Sequence, residues 1–208
     1  MVTTIYLIRH GEIDANVAKR WHGWTDSDLN DNGRLQAEKM GAHLAEQSPE
    51  ISAIYSSPLR RTLDTARSLA GLLNLEPVTH DGLREWGIGR WEGQLYDVLR
   101  DKHKFFDAIA NDLNYTPPDG ESVNQVCARM VGAFEEIRLR HEGECLALVG
   151  HGAALAITLA SLLDGGPMPF YQYHMDNTGI TKLIWHDKPV VEFFNQREHL
   201  DDGAHQPA

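Results

Sequence analysis

Cysteine is scarce in this sequence, with only Cys127 and Cys145 among its 208 residues. Two cysteines exclude both a disulfide framework and a zinc site built from cysteine ligands. We expect them to remain small core side chains in a reducing compartment. The scattered histidines lack ligand spacing of the HxxxH kind, so no metal site is predicted.

Positively charged residues are also scarce relative to acidic ones. The chain has 19 Lys and Arg against 30 Asp and Glu, which gives a net charge of −11. A surface of this sign repels nucleic acid and anionic membranes, so neither is an expected partner. A phosphate or carboxylate ligand would need a local cluster of cations to overcome the global field.

The sequence has one long run without formal charge, residues 145–163, and no signal-like segment before its first strand-like stretch. This run of 19 residues is close to the length that spans a bilayer. However, Gly150, His151 and Gly152 interrupt it, and neither end has a basic flank. We therefore interpret it as a buried strand, a turn and a small-residue helix, and we expect a cytoplasmic protein.

Strand and helix patterns alternate along the chain, without a repeat or a long linker. Apolar, β-branched runs predict strands at 3–9, 51–55, 76–80 and 145–149, and two or three more within 170–194. Apolar positions at helical spacing predict helices at 33–47, 59–73, 94–113, 121–141 and 153–163. The alternation predicts an α/β fold, a three-layer α/β/α sandwich around a mostly parallel sheet. We interpret residues 1–208 as one domain.

Two histidines follow predicted strands in matching positions. His10 follows the strand at 3–9 and precedes Gly11, and His151 follows the strand at 145–149 between two glycines. Ligands of open α/β sheets bind beyond the carboxyl ends of the strands, and glycine lets backbone come close. Either histidine alone would be interpreted as a loop residue, but the pair favours a functional site.

Arginines stand beside predicted strand ends as well. Arg9 ends an apolar strand, where a charge is costly unless it meets an anion or a partner. Arg60 and Arg61 open the helix at 59–73, whose N-terminus offers free N–H groups and the positive end of the helix dipole. The guanidinium fork matches phosphate with two hydrogen bonds. These positions predict a phosphate site, with a purely surface role left open for Arg61.

Five motifs, spread over about residues 3–160, form an ordered set. They are Arg9-His10-Gly11-Glu12 with Asn16 following, GWTDSDLNDNG from Gly23, SSPLRRTLDTA with Arg60, Leu83-Arg84-Glu85 with the later Trp91-Glu92-Gly93, and LVGHGA around His151. The set resembles the signature motifs of the histidine phosphatase (phosphoglycerate mutase-like) superfamily. Five matches in the same order exceed what chance produces, so a phosphoglycerate mutase-like fold is expected.

The resemblance implies a two-step phosphoryl transfer that needs no metal or other cofactor. The catalytic residues it implies are His10 as nucleophile, His151, and Glu85 as acid and then base. The matched motifs place the substrate- and phosphate-binding positions at Arg9, Arg60, Asn16, His22, Gly23 and Gly152. His22 stands where the family more often has Gln, Ser or Thr, and Ile13 stands where Thr or Ser is common.

The expected activity is hydrolysis of a phosphate monoester through a phosphohistidine, with a small phosphorylated metabolite as substrate. Residues 94–120 would cap the site, and the compact stretch at 117–122 resembles phosphatase branches rather than mutases. Two alternatives stay open: a 2,3-bisphosphoglycerate-dependent phosphoglycerate mutase, and a non-catalytic module that binds phosphorylated ligands. No nucleophile elbow, P-loop or dinucleotide fingerprint opens a predicted helix. The physiological substrate and the oligomeric state are not encoded in any motif.

Overall fold

The computed structural model describes residues 1–48 and 50–201, and residues 202–208 of the predicted domain lie outside this part. Its main elements, in chain order, are β1 (Thr3–Arg9), α1 (Asp14–Val17), α2 (Asp31–Gln47), β2 (Ile51–Ser56), α3 (Arg60–Leu73), β3 (Val78–Thr79), α4 (Tyr96–Asp101), α5 (Phe105–Asn111), α6 (Val123–Arg140), β4 (Cys145–Gly150), α7 (Gly152–Asp164), β5 (Ile180–Trp185) and β6 (Pro189–Gln196). Short 3-10 turns lie between them at Asp81–Leu83, Gly89–Trp91 and Phe170–Tyr173, and Glu198–Leu200 follows β6.

The strands form one sheet in the order β3-β2-β4-β1-β5-β6. β1 to β4 run parallel, whereas β5 is antiparallel to β1, and β6 is antiparallel to β5. β1 and β4 lie side by side, with Arg9 opposite Gly150. Both strands therefore end at the same edge of the sheet, and the residues that follow them, His10 and His151, meet there.

The side chains of the central strands alternate between two apolar cores, as the period of two in a strand requires. Ile5 and Leu7 of β1 belong to one core, and Tyr6 and Ile8 belong to the other. Helices α6 and α7 close the first core, and α2 and α3 close the second. Because helices cover both faces, the predicted three-layer sandwich around a mostly parallel sheet is confirmed.

Local capping sets the start of two helices. At α6 the Ser122 hydroxyl accepts from Gln125 N at 3.2 Å and the Gln125 side chain accepts from Ser122 N at 2.8 Å, which is a capping box. At α2 the Asn30 side chain accepts from Gly33 N at 2.7 Å. In both cases a side chain replaces a backbone partner that the first turn lacks.

Three predicted elements differ from the structure. The helical stretch predicted at 94–113 is two helices, α4 and α5, because Lys104 adopts a left-handed φ of 51° between them. The strand predicted at 76–80 is only the two-residue β3, at the edge of the sheet. The stretch predicted as strand from residue 170 begins with the 3-10 turn at Phe170–Tyr173, and its strands start at β5.

The uncharged run at 145–163 folds as predicted. It forms β4, then the turn at His151, and then most of α7. Within residues 1–48 and 50–201, no helix combines the length and the apolar character that crossing a membrane requires.

Candidate active site

His10 and His151 lie beside each other at the carboxyl edge of the sheet. The His10 N–H donates to the Gly150 carbonyl at 3.0 Å, which ties the end of β1 to the end of β4. The two imidazole ring centroids are 5.2 Å apart. Both side chains are buried, with 4% of His10 and 0% of His151 exposed. The structure therefore brings the two predicted catalytic histidines together.

A backbone carbonyl fixes the tautomer of His10. Its Nδ1 lies 2.7 Å from the Gly11 carbonyl oxygen, which can only accept. Nδ1 therefore carries the proton, and the lone pair of the neutral ring lies on Nε2. Burial holds the pKa of His10 well below its ordinary 6.5, and the charges of Arg61 and Arg9 lower it further. A neutral imidazole with its lone pair on Nε2 is the form that can attack phosphorus.

His151 is also held neutral, by the same causes. Burial lowers its pKa well below 6.5, and the charges of Arg61 and Arg9 lower it further. Its Nε2 lies 2.9 Å from the Ser57 hydroxyl, whereas its buried Nδ1 has no partner among the described residues. A buried polar atom of this kind is a candidate contact for a ligand oxygen.

Ser57 is a contact that the sequence predictions did not include. It follows β2 directly, at the same edge of the sheet as His10 and His151. That position is the signal by which it could have been found, because parallel strands deliver their next residues to one edge.

The arginine that lies against the histidines is Arg61. It is 0% exposed, and its guanidinium donates to the carbonyls of Gly23 and Thr25 at 2.7 and 2.9 Å. After burial itself, its charge is the largest cause of the lowered pKa of both His10 and His151. Burial lowers the pKa of Arg61 to about 10, so the guanidinium remains charged at neutral pH.

The structure places the predicted phosphate ligand Arg60 outside this cluster, where its neighbour Arg61 lies instead. Its half-exposed side chain pairs with Asp26 at 2.9 Å and with Asp28 at 2.8 Å, away from the histidines. Successive helical residues point about 100° apart, so only one of the two arginines can face the sheet. Arg61 shares the buried side of α3 with Thr65, one turn later. This helical spacing was the signal that separates Arg61 from Arg60.

Arg9 lies over the start of α7. Its Nη1 donates to the Met175 carbonyl at 2.6 Å, and its Nε is buried without a partner among the described residues. A Cβ placed on Gly152 would lie 3.2 Å from Arg9 Cζ, so glycine allows the guanidinium to come this close. The predicted phosphate ligands Arg9 and Gly152 are thus neighbours in space.

Glu85 binds the N-terminus of α7. Its Oε1 accepts from the N–H groups of Ala154 and Trp86, both at 2.8 Å, and its Oε2 accepts from Ala153 N–H at 3.1 Å. Two of these amides are donors that the first turn of α7 leaves unpaired, at the positive end of its dipole. The predicted acid–base residue is therefore held at the helix that His151 opens.

A partly buried ion pair fixes the loop that carries Glu85. Arg129 and Glu121 of the α6 region make two parallel contacts, each at 2.8 Å. Arg129 also donates to the Glu85 carbonyl at 3.1 Å, and Glu121 accepts from Gly87 N–H at 3.1 Å. Because the forked geometry restricts both partners, this pair positions the backbone of Glu85.

Two further predicted contacts, Asn16 and His22, line the cavity next to His10. The Asn16 side-chain oxygen accepts from Asn177 Nδ2 at 3.2 Å, and the same nitrogen donates to the His10 carbonyl at 2.9 Å. The buried Nδ1 of His22 has no partner among the described residues. Asn16 thus supports His10 through Asn177, and His22 presents a polar atom near the cavity.

Gly23 lies behind the cavity and does not contact it. Its N–H donates to Glu92 Oε2 at 2.8 Å, and its carbonyl accepts from Arg61. Glu92 also accepts from the N–H groups of Trp24 and Ile88, at 3.2 and 3.1 Å. Both polar groups of Gly23 are engaged within the protein, so the structure does not bring this predicted substrate contact to the cavity. Gly23 instead holds Arg61.

One cavity of about 580 Å³ is lined by six of the predicted site residues: Arg9, His10, Asn16, His22, Glu85 and Gly152. We call the buried part the phosphate end; it is formed by Arg9, His10, Glu85 and Gly152. We call the exposed part the mouth; it is formed by Lys19, Arg20, Tyr96 and Tyr171. The volume is typical of a small-molecule site, and it leaves room for a leaving group beside the phosphoryl group.

The fold and the His-His-Arg-Arg-Glu arrangement define a class of protein with a site suited to a phosphate group. The family model of the histidine phosphatase superfamily (branch 1) matches residues 5–196. The chain therefore belongs to the histidine phosphatase superfamily, and the family resemblance of its five motifs is confirmed.

Related proteins narrow this class to a phosphatase. Phosphoserine phosphatase 1 of Hydrogenobacter thermophilus is 31% identical over 189 residues, which cover 90% of this chain and 89% of that protein. The metal-independent phosphoserine phosphatase of Arabidopsis thaliana is 35% identical over 159 residues, covering 74% and 66%. Phosphoserine phosphatase of Entamoeba histolytica, solved with phosphoserine and with 3-phosphoglyceric acid, is 30% identical, with a TM-score of 0.85 over 95% of this chain and 99% of that one. The chain is an enzyme, a phosphatase of the histidine phosphatase type.

Proposed function

We propose that the chain is a metal-independent phosphomonoesterase that acts on a small phosphorylated metabolite through a phosphohistidine at His10. The observation that carries the proposal is the hydrogen bond from His10 Nδ1 to the Gly11 carbonyl at 2.7 Å. It places the lone pair on Nε2 of a buried ring whose pKa is lowered. Similarity to phosphoserine phosphatases, one of them named metal-independent, supports the assignment.

In the first step, His10 Nε2 attacks phosphorus in line with the ester oxygen. The N–P bond forms as the P–O ester bond breaks, and the leaving oxygen takes a proton from the acid form of Glu85. Arg9 and Arg61 offset the negative charge on the phosphoryl oxygens, which is the main task of a protein in phosphoryl transfer. His151 supplies a further hydrogen bond to them.

In the second step, water attacks the phosphohistidine. Glu85, now a carboxylate, takes a proton from the water as the O–P bond forms and the N–P bond breaks. Inorganic phosphate leaves, and neutral His10 and the acid form of Glu85 are restored. One carboxyl serves both steps because each step leaves it in the form that the next step needs.

Residues 94–120 act as a cap within a single domain in this proposal. Tyr96 and Phe106 from this segment line the cavity, and a bridge between Leu95 and Arg20 ties its start to the segment before Trp21. The cap therefore borders the leaving group rather than the phosphoryl group. Phosphoserine and 3-phosphoglycerate, the ligands of the similar Entamoeba enzyme, are the first candidate substrates.

The test is hydrolysis of p-nitrophenyl phosphate by metal-stripped protein in EDTA. We expect turnover to persist in the chelator and to vanish in His10→Ala. The matched control is His186→Ala, which removes an exposed histidine between β5 and β6 and should leave turnover unchanged. Activity that disappears with EDTA and returns with Mg²⁺ or Zn²⁺ would contradict the proposal. So would rapid isomerisation of 3-phosphoglycerate, primed by 2,3-bisphosphoglycerate, with little release of phosphate.

A further inference from the structure

Three arginines of the described chain have no carboxylate partner: Arg9, Arg20 and Arg61. Every other arginine pairs with Asp or Glu, at distances from 2.6 Å (Arg90–Asp119) to 3.8 Å (Arg34–Asp31). In a chain with 30 acidic residues and a net charge of −11, an arginine without a carboxylate is exceptional. Arg9 lines the phosphate end and Arg61 is buried behind the histidines, whereas Arg20 has no part in the mechanism.

Arg20 lies in the mouth of the same cavity, next to Lys19. Its Nη1 donates to the Gly93 carbonyl at 2.8 Å, and its backbone bridges Leu95, so its position is fixed against the start of the cap. That bond uses one of five N–H donors and leaves the charge without a counter-ion. Lys19 has a left-handed φ of 52°, and its carbonyl accepts from Tyr96 N–H at 3.0 Å.

Two acidic side chains line the cavity, and neither pairs with these cations. Glu85 is bound by the amides of α7, as described above. Asp176 accepts from Asn195 Nδ2 at 2.9 Å and lies 3.4 Å from Arg197 Nε. The mouth therefore presents two exposed cations to a ligand, whereas His10 lies in the buried part of the same cavity.

We propose that Arg20 and Lys19 form a second anion subsite, which binds an acidic group on the leaving group of the substrate. The substrate class is then a phosphate monoester whose alcohol carries a carboxylate or a second phosphate. The inference rests on the proposed phosphomonoesterase function and adds to it the reason for selectivity. Tyr96 and Tyr171 border the carbon skeleton between the two anions.

A series of three-carbon substrates tests this subsite. Glycerol 3-phosphate, 3-phosphoglycerate and glycerol 1,3-bisphosphate differ at one end, which is neutral, a carboxylate or a phosphate. We expect kcat/KM to be at least about tenfold higher for one of the anionic members than for glycerol 3-phosphate, since a hydrogen bond to a charged group has about that value. The preferred member identifies the acidic group.

Variants at the mouth assign the preference to its residues. Arg20→Gln and Lys19→Asn remove one charge each. Both should keep the local backbone, since the bridge between residue 20 and Leu95 is made by main-chain atoms and Asn tolerates a left-handed φ. Each variant should lower the ratio of kcat/KM for the preferred anionic substrate to kcat/KM for glycerol 3-phosphate by about tenfold. The change should come mainly from a higher KM for the anionic substrate. Arg20→Lys should retain that ratio, and Lys188→Asn, the same charge change in the turn between β5 and β6, should not alter it.

Two measurements separate failure of the subsite from failure of the proposed function. If p-nitrophenyl phosphate is not hydrolysed, the proposed function fails; the subsite is then judged from the Kd values of His10→Ala for 3-phosphoglycerate, glycerol 1,3-bisphosphate and glycerol 3-phosphate. Equal kcat/KM values of the wild-type protein for all three substrates would overturn the subsite. An anionic preference that survives both Arg20→Gln and Lys19→Asn would overturn it as well.

Discussion

The phosphate end and the mouth of the cavity are built from different parts of the fold. At the phosphate end, side chains follow β1 and β4 directly or bind the first turn of α7, and backbone groups hold them. At the mouth, exposed side chains come from the segment after α1, from the cap and from the 3-10 turn at Phe170–Tyr173. From this contrast we expect the sheet to fix the chemistry and the segments outside the sheet to select the leaving group.

The two parts also differ in how firmly they are held. His10, Glu85 and His151 are buried, and each makes a hydrogen bond to a neighbouring element or to its own backbone. Tyr171, in contrast, has 65% of its surface exposed. Substitutions at the phosphate end should therefore change kcat, whereas substitutions at the mouth should change KM and selectivity.

The largest effect is expected for Glu85→Gln, which removes the acid and base but keeps the shape of the side chain. Turnover of an alkyl phosphate should fall by about 10²- to 10⁴-fold. With p-nitrophenyl phosphate, whose leaving group needs no proton, one equivalent of nitrophenol per protein should appear in a burst, followed by slow turnover. Rapid-quench kinetics would show this. Steady turnover of both substrates at the wild-type rate would exclude Glu85 from the chemistry.

The adjacent arginines of α3 provide a matched pair of variants. Arg61→Met removes the buried charge behind the histidines and should lower kcat/KM by about 10²- to 10³-fold. Arg60→Met removes an exposed charge that is paired with Asp26 and Asp28, and should change kcat/KM less than about threefold. Circular dichroism and thermal melting of both variants would separate loss of folding from loss of charge. Equal effects at the two positions would contradict the assignment to Arg61.

The lowered pKa values of His10 and His151 predict the pH dependence of stability. Between the lowered pKa of the folded state and the ordinary 6.5, the unfolded chain binds more protons than the folded protein. Stability is therefore complete above about pH 6.5 and is lost as the pH falls below it. The melting temperature should drop by several degrees between pH 7.5 and pH 5.5.

His151→Asn should make that decline shallower, because one of the two histidines no longer titrates. His186→Ala, at an exposed position, should leave the slope as it is in the wild type. A wild-type melting temperature that does not change over this range would show that neither histidine is held neutral by the fold.

The smallest effect is expected at the mouth. Tyr171→Ser shortens an exposed wall of the cavity without touching the phosphate end, so KM should rise about threefold and kcat should stay constant. Steady-state kinetics with 3-phosphoglycerate measure both. A fall in kcat of more than tenfold would remove the distinction between the two parts of the cavity.

The phosphate end was largely predictable from the sequence because its signals are local. His10 and His151 each follow an apolar strand and stand next to glycine, and parallel strands deliver such residues to one edge. The choice between Arg60 and Arg61 failed because it depends on the rotation of α3 by a single residue. The helical spacing of Arg61 and Thr65 contained that information.

Contacts between distant segments were not predictable. The amides of Ala153 and Ala154 that bind Glu85 lie 68 and 69 residues after it in the chain. No local sequence pattern connects Glu85 with these two amides. The same holds for Met175, whose carbonyl binds Arg9 from 166 residues away. The helix predicted at 94–113 is broken between α4 and α5 because Lys104 has a left-handed φ. Lysine rarely adopts this conformation, so the sequence does not predict the break. Tertiary packing decides each of these features.

The central claim is that His10 carries the phosphoryl group between the two steps. Its direct test is rapid quenching of the protein with phosphate-labelled substrate, followed by mass spectrometry of peptides under alkaline conditions that preserve phosphohistidine. We expect one phosphoryl group on His10, at a higher level in Glu85→Gln, where its hydrolysis is slow, and none in His10→Ala. A label on another residue, or turnover without any labelled protein in Glu85→Gln, would contradict it.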